Sequence, residues 1–114
     1  MPSLPNYLRT HRKRLSLSQE EVAFLLGMKG MDKGNKVSRD ENYSRIPTLE
    51  TALAYEAMYG KPIHELFAGL YEPIAQEVYS RAKILSYKRS GTHGPKSLQA
   101  LSELALRYSK SAPN

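Results

Sequence analysis

Histidine is the side chain best suited to acid–base and metal chemistry near neutral pH, and this chain has three. His11 lies at a predicted helix end, His64 in a short predicted helix and His93 in a predicted linker. The three side chains therefore share no face, and they predict neither a metal site nor a nucleophile–base pair. Cysteine is absent, which excludes disulfides and thiolate metal sites within the chain and is compatible with a reducing cytoplasm.

Two other patterns that resemble catalytic arrangements lack the necessary geometry. Glu20 and Glu21 are neighbours in sequence, so on a helix they point in different directions and cannot flank a substrate bond. Residues 91–97 (GTHGPKS) superficially resemble a phosphate-binding loop, but they lack the preceding strand and the spacing of a Walker motif. We therefore expect a protein that is not an enzyme and that needs no metal and no cofactor.

The charge of the chain favours a polyanionic partner, since its formal net charge is +6 over 114 residues. Residues 1–67 carry 10 Lys and Arg against 8 Asp and Glu, whereas residues 68–114 carry 7 against 3. No apolar run approaches the ~20 residues that span a bilayer, and the N-terminus lacks the pattern of a secretory signal. We expect a cytoplasmic protein with no membrane partner.

The strongest local pattern is a capped helix that starts after Ser18 and stops before Gly27. Ser18 and Glu21 have the spacing of a capping box, in which each side chain satisfies a backbone amide at the helix start. Gly27 suits the left-handed conformation that ends many helices. The predicted apolar face consists of Val22, Ala23, Leu25 and Leu26, with Phe24 on the opposite side.

Helical spacing and end signals predict six further helices, and no segment has a strand pattern. Their approximate bounds are residues 6–14, 33–41, 48–59, 62–67, 73–85 and 96–108. Asp32 is the predicted cap of the third helix, and Asn42 is expected to end it in the left-handed conformation. Pro73 is expected in the first turn of the sixth helix, which has an apolar stripe of Ile74, Val78, Ala82 and Leu85.

The sequence thus predicts an all-α protein with a five-helix domain over residues 1–68 and a helical extension over residues 69–114. Residues 90–95 are expected to form a linker within the extension. The last helix has one apolar side, made by Leu98, Leu101, Leu104 or Ala105, and Tyr108. The two helices of the extension are expected either to form a dimer interface or to fold back onto the first domain.

Five motifs occur in a fixed order along the first 68 residues. They are Leu8-Arg9-x-x-Arg12, Ser18-Gln19-Glu20-Glu21-Val22-Ala23-x-Leu25-Leu26-Gly27, Val37-Ser38-Arg39-x-Glu41, Pro47-Thr48-Leu49-Glu50-Thr51 and His64-Glu65-Leu66-Phe67. In this order and spacing, the chain resembles the phage lambda repressor/Cro-like helix-turn-helix family over about residues 6–68. The resemblance implies a five-helix domain whose third helix enters the DNA major groove.

The resemblance also implies which residues contact DNA. Gln19, at the start of the second helix, is similar in position to a backbone-phosphate anchor. Arg39 in the third helix could donate two hydrogen bonds to a guanine edge, worth about 1–3 kcal/mol of discrimination, and Asn35 suits adenine. The full set of implied DNA-binding residues is Arg12, Gln19, Lys29, Lys33, Asn35, Lys36, Ser38, Arg39 and Arg45.

Three departures from the family pattern bear on these assignments. The turn before the third helix, residues 28–32, is longer than the common form, so it could shift that helix or bring Lys29 and Lys33 to the DNA backbone. Asp40 occupies a position that is usually apolar or aromatic, and a carboxylate near phosphates is unfavourable. Tyr43 stands where glycine is common.

Each assignment has an alternative that involves no DNA. Gln19 could be a plain surface residue, and Arg39 could form an ion pair near Glu41 or with Glu50. Arg45 is either a phosphate contact or a solvated side chain. We expect Glu41 to be structural, tying the third helix to an arginine or to a backbone group.

We therefore expect a sequence-specific regulator of transcription, of bacterial or phage type, that binds double-stranded DNA as a homodimer and acts by occupying an operator. One alternative is an antitoxin-type module, which neutralises a protein partner through its C-terminal helices and regulates its own expression. Another is a general nucleic-acid binder that uses the basic tail residues Arg81, Lys83, Lys88, Arg89 and Lys96.

Overall fold

The computed structural model describes residues 4–88 and 94–111. All regular structure in these ranges is helical, which confirms the all-α class for them. The helices are α1 (Leu8–Arg14), α2 (Gln19–Leu25), α3 (Lys33–Glu41), α4 (Leu49–Tyr59), α5 (Ile63–Leu66), α6 (Ala68–Lys88) and α7 (Pro95–Ser111). The chain divides into two compact units, and the boundary along the sequence lies between Gly69 and Leu70. None of the helices in the described ranges combines the length and the apolar character that a membrane crossing requires.

The first unit is organised around one small core. Its buried side chains come from all five of its helices, and from the residue that follows α5: Leu8, Val22, Ala23, Val37, Ala52, Tyr55, Tyr59, Leu66 and Phe67. Tyr55 is the largest side chain in this core that has no exposed surface, and its ring stacks on Tyr59 with 5.9 Å between centroids. Two aromatic residues one helical turn apart thus fill the centre of the unit.

Helix α1 starts two residues later than predicted. Asn6 still satisfies its first turn, because the Asn6 Oδ1 accepts a hydrogen bond from the Leu8 N–H at 3.1 Å. The Asn6 Nδ2 donates to the backbone oxygen of Asp40 at 2.9 Å. A buried amide side chain therefore joins the start of α1 to α3.

Helix α2 confirms its predicted ends. Ser18 Oγ accepts from the Glu21 N–H at 3.0 Å, and the Glu21 carboxylate accepts from the Ser18 N–H at 2.8 Å. The hydrogen bond from the Ser18 N–H to the carboxylate stabilises its charged form and is the main reason why the pKa of Glu21 is lowered. Gly27 has the expected left-handed φ of 78°. The apolar face is narrower than predicted, however, because Val22 and Ala23 are buried whereas Leu25 is exposed.

Helix α3 has the predicted bounds, but the roles predicted for Asp32 and Asn42 at its two ends are wrong. Asp32 makes no side-chain cap; its backbone oxygen accepts from the Asn35 N–H instead. Asn42 keeps a φ of −95°, and Tyr43 takes the left-handed conformation with a φ of 71°. Gly34 is explained by packing, since a Cβ there would lie 3.1 Å from the Cγ of Glu20 on α2.

Helices α4 and α5 follow the sequence signals closely. Thr48 Oγ1 accepts from the Thr51 N–H at 3.2 Å and caps α4, and Gly60 ends it with a φ of 67°. Leu66 and Phe67 are buried as expected, while Ile63 is half-buried. The loop between the two helices is held by Glu56, whose Oε1 accepts from the Ile63 N–H.

Helix α6 corrects the prediction for the extension. It begins at Ala68, so Pro73 lies inside the helix and not in its first turn. Of the predicted stripe only Ala82 is buried, together with Ala75, and the larger side chains Ile74, Val78 and Leu85 are exposed. Helix α7 starts at Pro95 and carries Leu98, Leu101, Leu104 and Ala105 half-buried on one side. Most of the predicted linker, residues 90–93, lies outside the described residues.

Candidate nucleic-acid interface

Helix α3 presents a polar side to solvent. Val37, Asp40 and Glu41 are buried on its inner side. Asn35 and Arg39 are exposed, and Ser38 is half-buried. Because successive residues of an α-helix turn by ~100°, these three polar side chains share the side opposite the buried ones. The predicted recognition residues are therefore grouped on one outer face.

Asp40 does not face this outer side. Its side chain has no exposed surface, and its Oδ2 accepts a hydrogen bond from the Tyr55 hydroxyl at 2.8 Å. Burial raises the pKa of Asp40, and this effect outweighs the opposing ones of Tyr55 and Arg45. Burial of the Tyr55 hydroxyl raises the pKa of Tyr55, and so does the nearby carboxylate of Asp40. The expected conflict between Asp40 and DNA phosphates is thus removed, because the carboxylate lies in the core.

Arg45 takes a role that neither sequence-based alternative included. Its Nε donates to Asp40 Oδ1 at 2.8 Å, and its side chain is only about one-third exposed. The Arg45 backbone N–H and that of Ser44 both donate to the Arg39 carbonyl oxygen, which closes the turn after α3. Arg45 therefore fixes this turn through a buried carboxylate.

Arg12 is likewise engaged inside the protein. Its Nε donates to Glu41 Oε2 at 2.6 Å and its Nη2 to Glu41 Oε1 at 3.1 Å, while its Nη1 donates to the Leu17 carbonyl oxygen. The hydrogen bond to Glu41 raises the pKa of Arg12. The structural role expected for Glu41 is confirmed. Arg12 was expected to meet phosphate, but Glu41 neutralises its charge and all three of its nitrogens donate within the fold.

Gln19 is hydrogen-bonded to the carboxylate of Glu41 as well. Its Nε2 donates to Glu41 Oε1 at 3.1 Å, so the amide is held by the ion pair beside it. An amide nitrogen carries two hydrogens, and the second one and the side-chain oxygen are not used by this bond. The side chain is half-buried and is therefore positioned, with one donor available for a further acceptor.

A depression of about 980 Å³ opens beside this network, between α1, the start of α2 and α3. Three of the predicted site residues line it: Arg12, Gln19 and Ser38. Arg9 and Lys13 line it as well, and both side chains are exposed. Because Arg12 and Glu41 cancel each other, Arg9 and Lys13 leave the depression positively charged.

The structure separates the remaining lysines of the predicted set. Lys33 lines a second depression, of about 430 Å³, on the side of α2 that carries Glu20, Glu21 and Phe24. Lys29 is exposed in the long turn before α3, and Lys36 is half-buried. Arg12, Gln19 and Ser38 thus share one depression, whereas Lys33 lines another together with Glu20 and Glu21.

The predicted DNA-binding set did not include Arg9 and Lys13, which also line the depression. A usable signal was present, because positions four apart on a helix lie on one face. Asn42 and Tyr43, which line the same depression, follow directly after the predicted recognition helix and were also missed.

The two histidines in the described part of the chain lie on different helices, His11 on α1 and His64 on α5. His11 packs against Tyr59 with 5.9 Å between ring centroids, and burial lowers its pKa, as do the charges of Arg14 and Lys61. His64 is exposed on α5, and His93 lies outside the described residues. No three His, Cys, Asp or Glu side chains in the described ranges come together as metal ligands.

Known proteins do not identify the chain: no protein-family model, no curated protein and no solved structure matches it.

Proposed function

We propose that this chain is a sequence-specific regulator of transcription that places α3 in the major groove of double-stranded DNA, as a lambda repressor/Cro-like domain does. The observation that carries the proposal is the division of α3 into a buried side and a polar outer side. The major groove is about 12 Å wide and admits one α-helix. A helix anchored to α2 by its inner side is suited to enter it.

Arg39 is the side chain that would read sequence most directly. It is exposed, and no ion pair involving it occurs among the described residues. An ion pair with Glu41 was one alternative to DNA for Arg39, but Glu41 binds Arg12 instead. The guanidinium is therefore available for two hydrogen bonds to one guanine, and Asn35 on the same outer side is suited to adenine.

The depression beside α3 would receive the DNA backbone. A phosphate needs hydrogen-bond donors and positive charge, and the depression offers the amide of Gln19 and the charges of Arg9 and Lys13. Glu41 improves this arrangement because it holds Gln19 in place while Arg12 cancels its charge. Lys29 and Lys36 would add contacts outside the depression.

The regulator would act by occupying its operator, with no chemistry of its own. One domain of this size makes few base contacts, so two copies related by a two-fold axis would bind half-sites about 34–36 Å apart. Dimerisation would therefore set both the affinity and the spacing of the operator.

The experiment is a selection of bound sequences from a pool of random duplexes with the full chain. The expected result is a two-fold symmetric motif, bound about 10³-fold or more tightly than unrelated DNA at physiological salt. Binding of all duplexes with equal affinity would refute sequence-specific recognition. The absence of any DNA binding at low salt would refute the proposal as a whole.

A further inference from the structure

Helix α6 carries four exposed side chains in one line: Ile74, Glu77, Arg81 and Ile84. Their spacing of three, four and three residues places them on one side of the helix. Ile74 is 60% exposed and Ile84 is 50% exposed, and the side chains of Glu77 and Arg81 are 65% and 72% exposed. We call these four residues the α6 stripe.

In sequence, the α6 stripe is nearly symmetric about Tyr79. An isoleucine lies five residues away on each side, and two residues away lie an acid on one side, Glu77, and a base on the other, Arg81. Two such helices that run antiparallel bring Ile74 of each copy to Ile84 of the other. Glu77 of each copy then meets Arg81 of the other. A parallel arrangement would instead place Glu77 beside Glu77 and Arg81 beside Arg81, which is repulsive.

We propose that this chain forms a two-fold dimer in which the α6 stripe pairs antiparallel with the same stripe of a second copy. A single exposed isoleucine has no special meaning, and an exposed ion pair such as Glu77–Arg81, at 3.6 Å within the helix, stabilises little. Their combination is significant, because an isologous contact requires a surface that complements itself. The α6 stripe meets this requirement in only one orientation.

The surroundings of the α6 stripe fit a second copy. A depression of about 400 Å³ lies beside Glu77, Arg81 and Ile84, and Tyr108 of α7 forms part of its wall. It can seat an apolar side chain that arrives from a partner helix. On the other flank, Val78 and Leu85 are 45% and 38% exposed, which extends the apolar contact.

The pairing deepens the proposed function, since it names the surface that joins two DNA-binding units. Its use on an operator rests on that function. The pairing itself is measured without DNA, so the dimer and the DNA proposal can fail independently.

The test uses charge exchange in the full chain, with association measured by sedimentation equilibrium. Glu77→Arg and Arg81→Glu should each raise the dimer dissociation constant about tenfold or more, because each places like charges opposite one another. An equimolar mixture of the two variants should associate as the original chain does, since the charges are complementary again. Lys83→Glu is the matched control: it changes the net charge as Arg81→Glu does, but residue 83 lies about 200° away around the helix.

A chain that stays monomeric up to about 100 μM, above the range of functional dimers, would overturn the proposal. Single variants that associate as tightly as the original chain would also overturn it. So would a mixture that fails to recover, because the proposed contact makes the charges of the two variants complementary again.

Orientation has a second and independent measurement, since the chain contains no cysteine. In the antiparallel dimer Ile74 meets Ile84 of the second copy, whereas two Ile74 residues lie about 15 Å apart along the helices. Ile74→Cys and Ile84→Cys chains should therefore form a disulfide only when they are mixed. Cross-linking of Ile74→Cys with itself, or no cross-link in the mixture, would refute the antiparallel arrangement.

Discussion

The carboxylate of Glu41 on α3 binds the guanidinium of Arg12 on α1 through two hydrogen bonds, at 2.6 and 3.1 Å. Their side chains are only 4% and 12% exposed. The pair lies behind the predicted DNA-facing side of α3, and Glu41 also accepts from Gln19. One ion pair thus connects the three helices that would form the DNA-binding surface.

Removal of Arg12 should destabilise the fold strongly. Arg12→Ala leaves Glu41 buried without a counter-charge, and breaking such a pair costs about 3–5 kcal/mol. The free energy of unfolding in urea measures this loss. Arg9→Ala is the matched control on the same helix, and it should change stability by less than about 0.5 kcal/mol because Arg9 is exposed. An equal and small effect of both substitutions would contradict the structural role of Arg12.

The hydroxyl of Tyr55 should contribute to stability through Asp40. Tyr55→Phe keeps the packing of the ring but leaves Asp40 Oδ2 without its 2.8 Å donor, which should cost about 1–3 kcal/mol. Thermal or urea unfolding measures the change. Tyr87→Phe, at a tyrosine that is 80% exposed, is the control and should have no effect. If both variants are equally stable, the carboxylate of Asp40 does not depend on this bond.

Stability should fall on mild acidification because of His11. Burial and the charges of Arg14 and Lys61 lower its pKa from the ordinary 6.5. The unfolded chain then binds the proton more readily than the folded chain, so the contribution of His11 is present above 6.5 and is lost as the pH falls through the lower folded pKa. Urea unfolding at about pH 7.5 and about pH 5.5 measures the loss on either side of that ordinary value.

His11→Phe provides the comparison for this pH dependence, because it keeps a ring against Tyr59 and removes the titration. The variant should lose less stability than the original chain between the two pH values. An identical loss in both chains would show that another group controls it.

Arg9 and Lys13 should contribute affinity without sequence preference. Loss of two phosphate contacts flattens the slope of log affinity against log salt by about two. The double variant Arg9→Ala/Lys13→Ala should show this change and retain the selected motif. Lys83→Ala/Lys88→Ala removes the same charge from α6 and should leave the slope unchanged. The opposite result would locate DNA binding in the basic tail.

Local sequence patterns predicted the structure correctly where the interacting residues lie within a few positions of each other. The capping box of Ser18 and Glu21 and the glycine at position 60 are examples, because neighbouring backbone groups determine them. The bounds of α3 were also predicted correctly, although Asp32 and Asn42 do not have the roles predicted for them at its ends. The all-α class then follows from the sum of such segments.

Features that depend on distant contacts were not predictable. Arg12 and Glu41 are 29 residues apart, so no local pattern shows that they cancel each other's charge. Asp40 was expected to bring an unfavourable carboxylate near phosphates, whereas its contacts with Tyr55 and Arg45 hold it in the core. In α6, hydrophobic spacing selected Ile74, Val78, Ala82 and Leu85, of which only Ala82 is buried, and it did not select the buried Ala75.

Whether α3 reads DNA is measured by the binding of an Arg39→Ala chain to the selected operator and to its single-base variants. We expect a loss of about 1–3 kcal/mol of binding free energy and of the preference at one base pair. The free energy of unfolding should stay within about 0.5 kcal/mol of the original, because the side chain is exposed. Unchanged affinity and unchanged base preference in a stable Arg39→Ala chain would show that α3 does not read DNA.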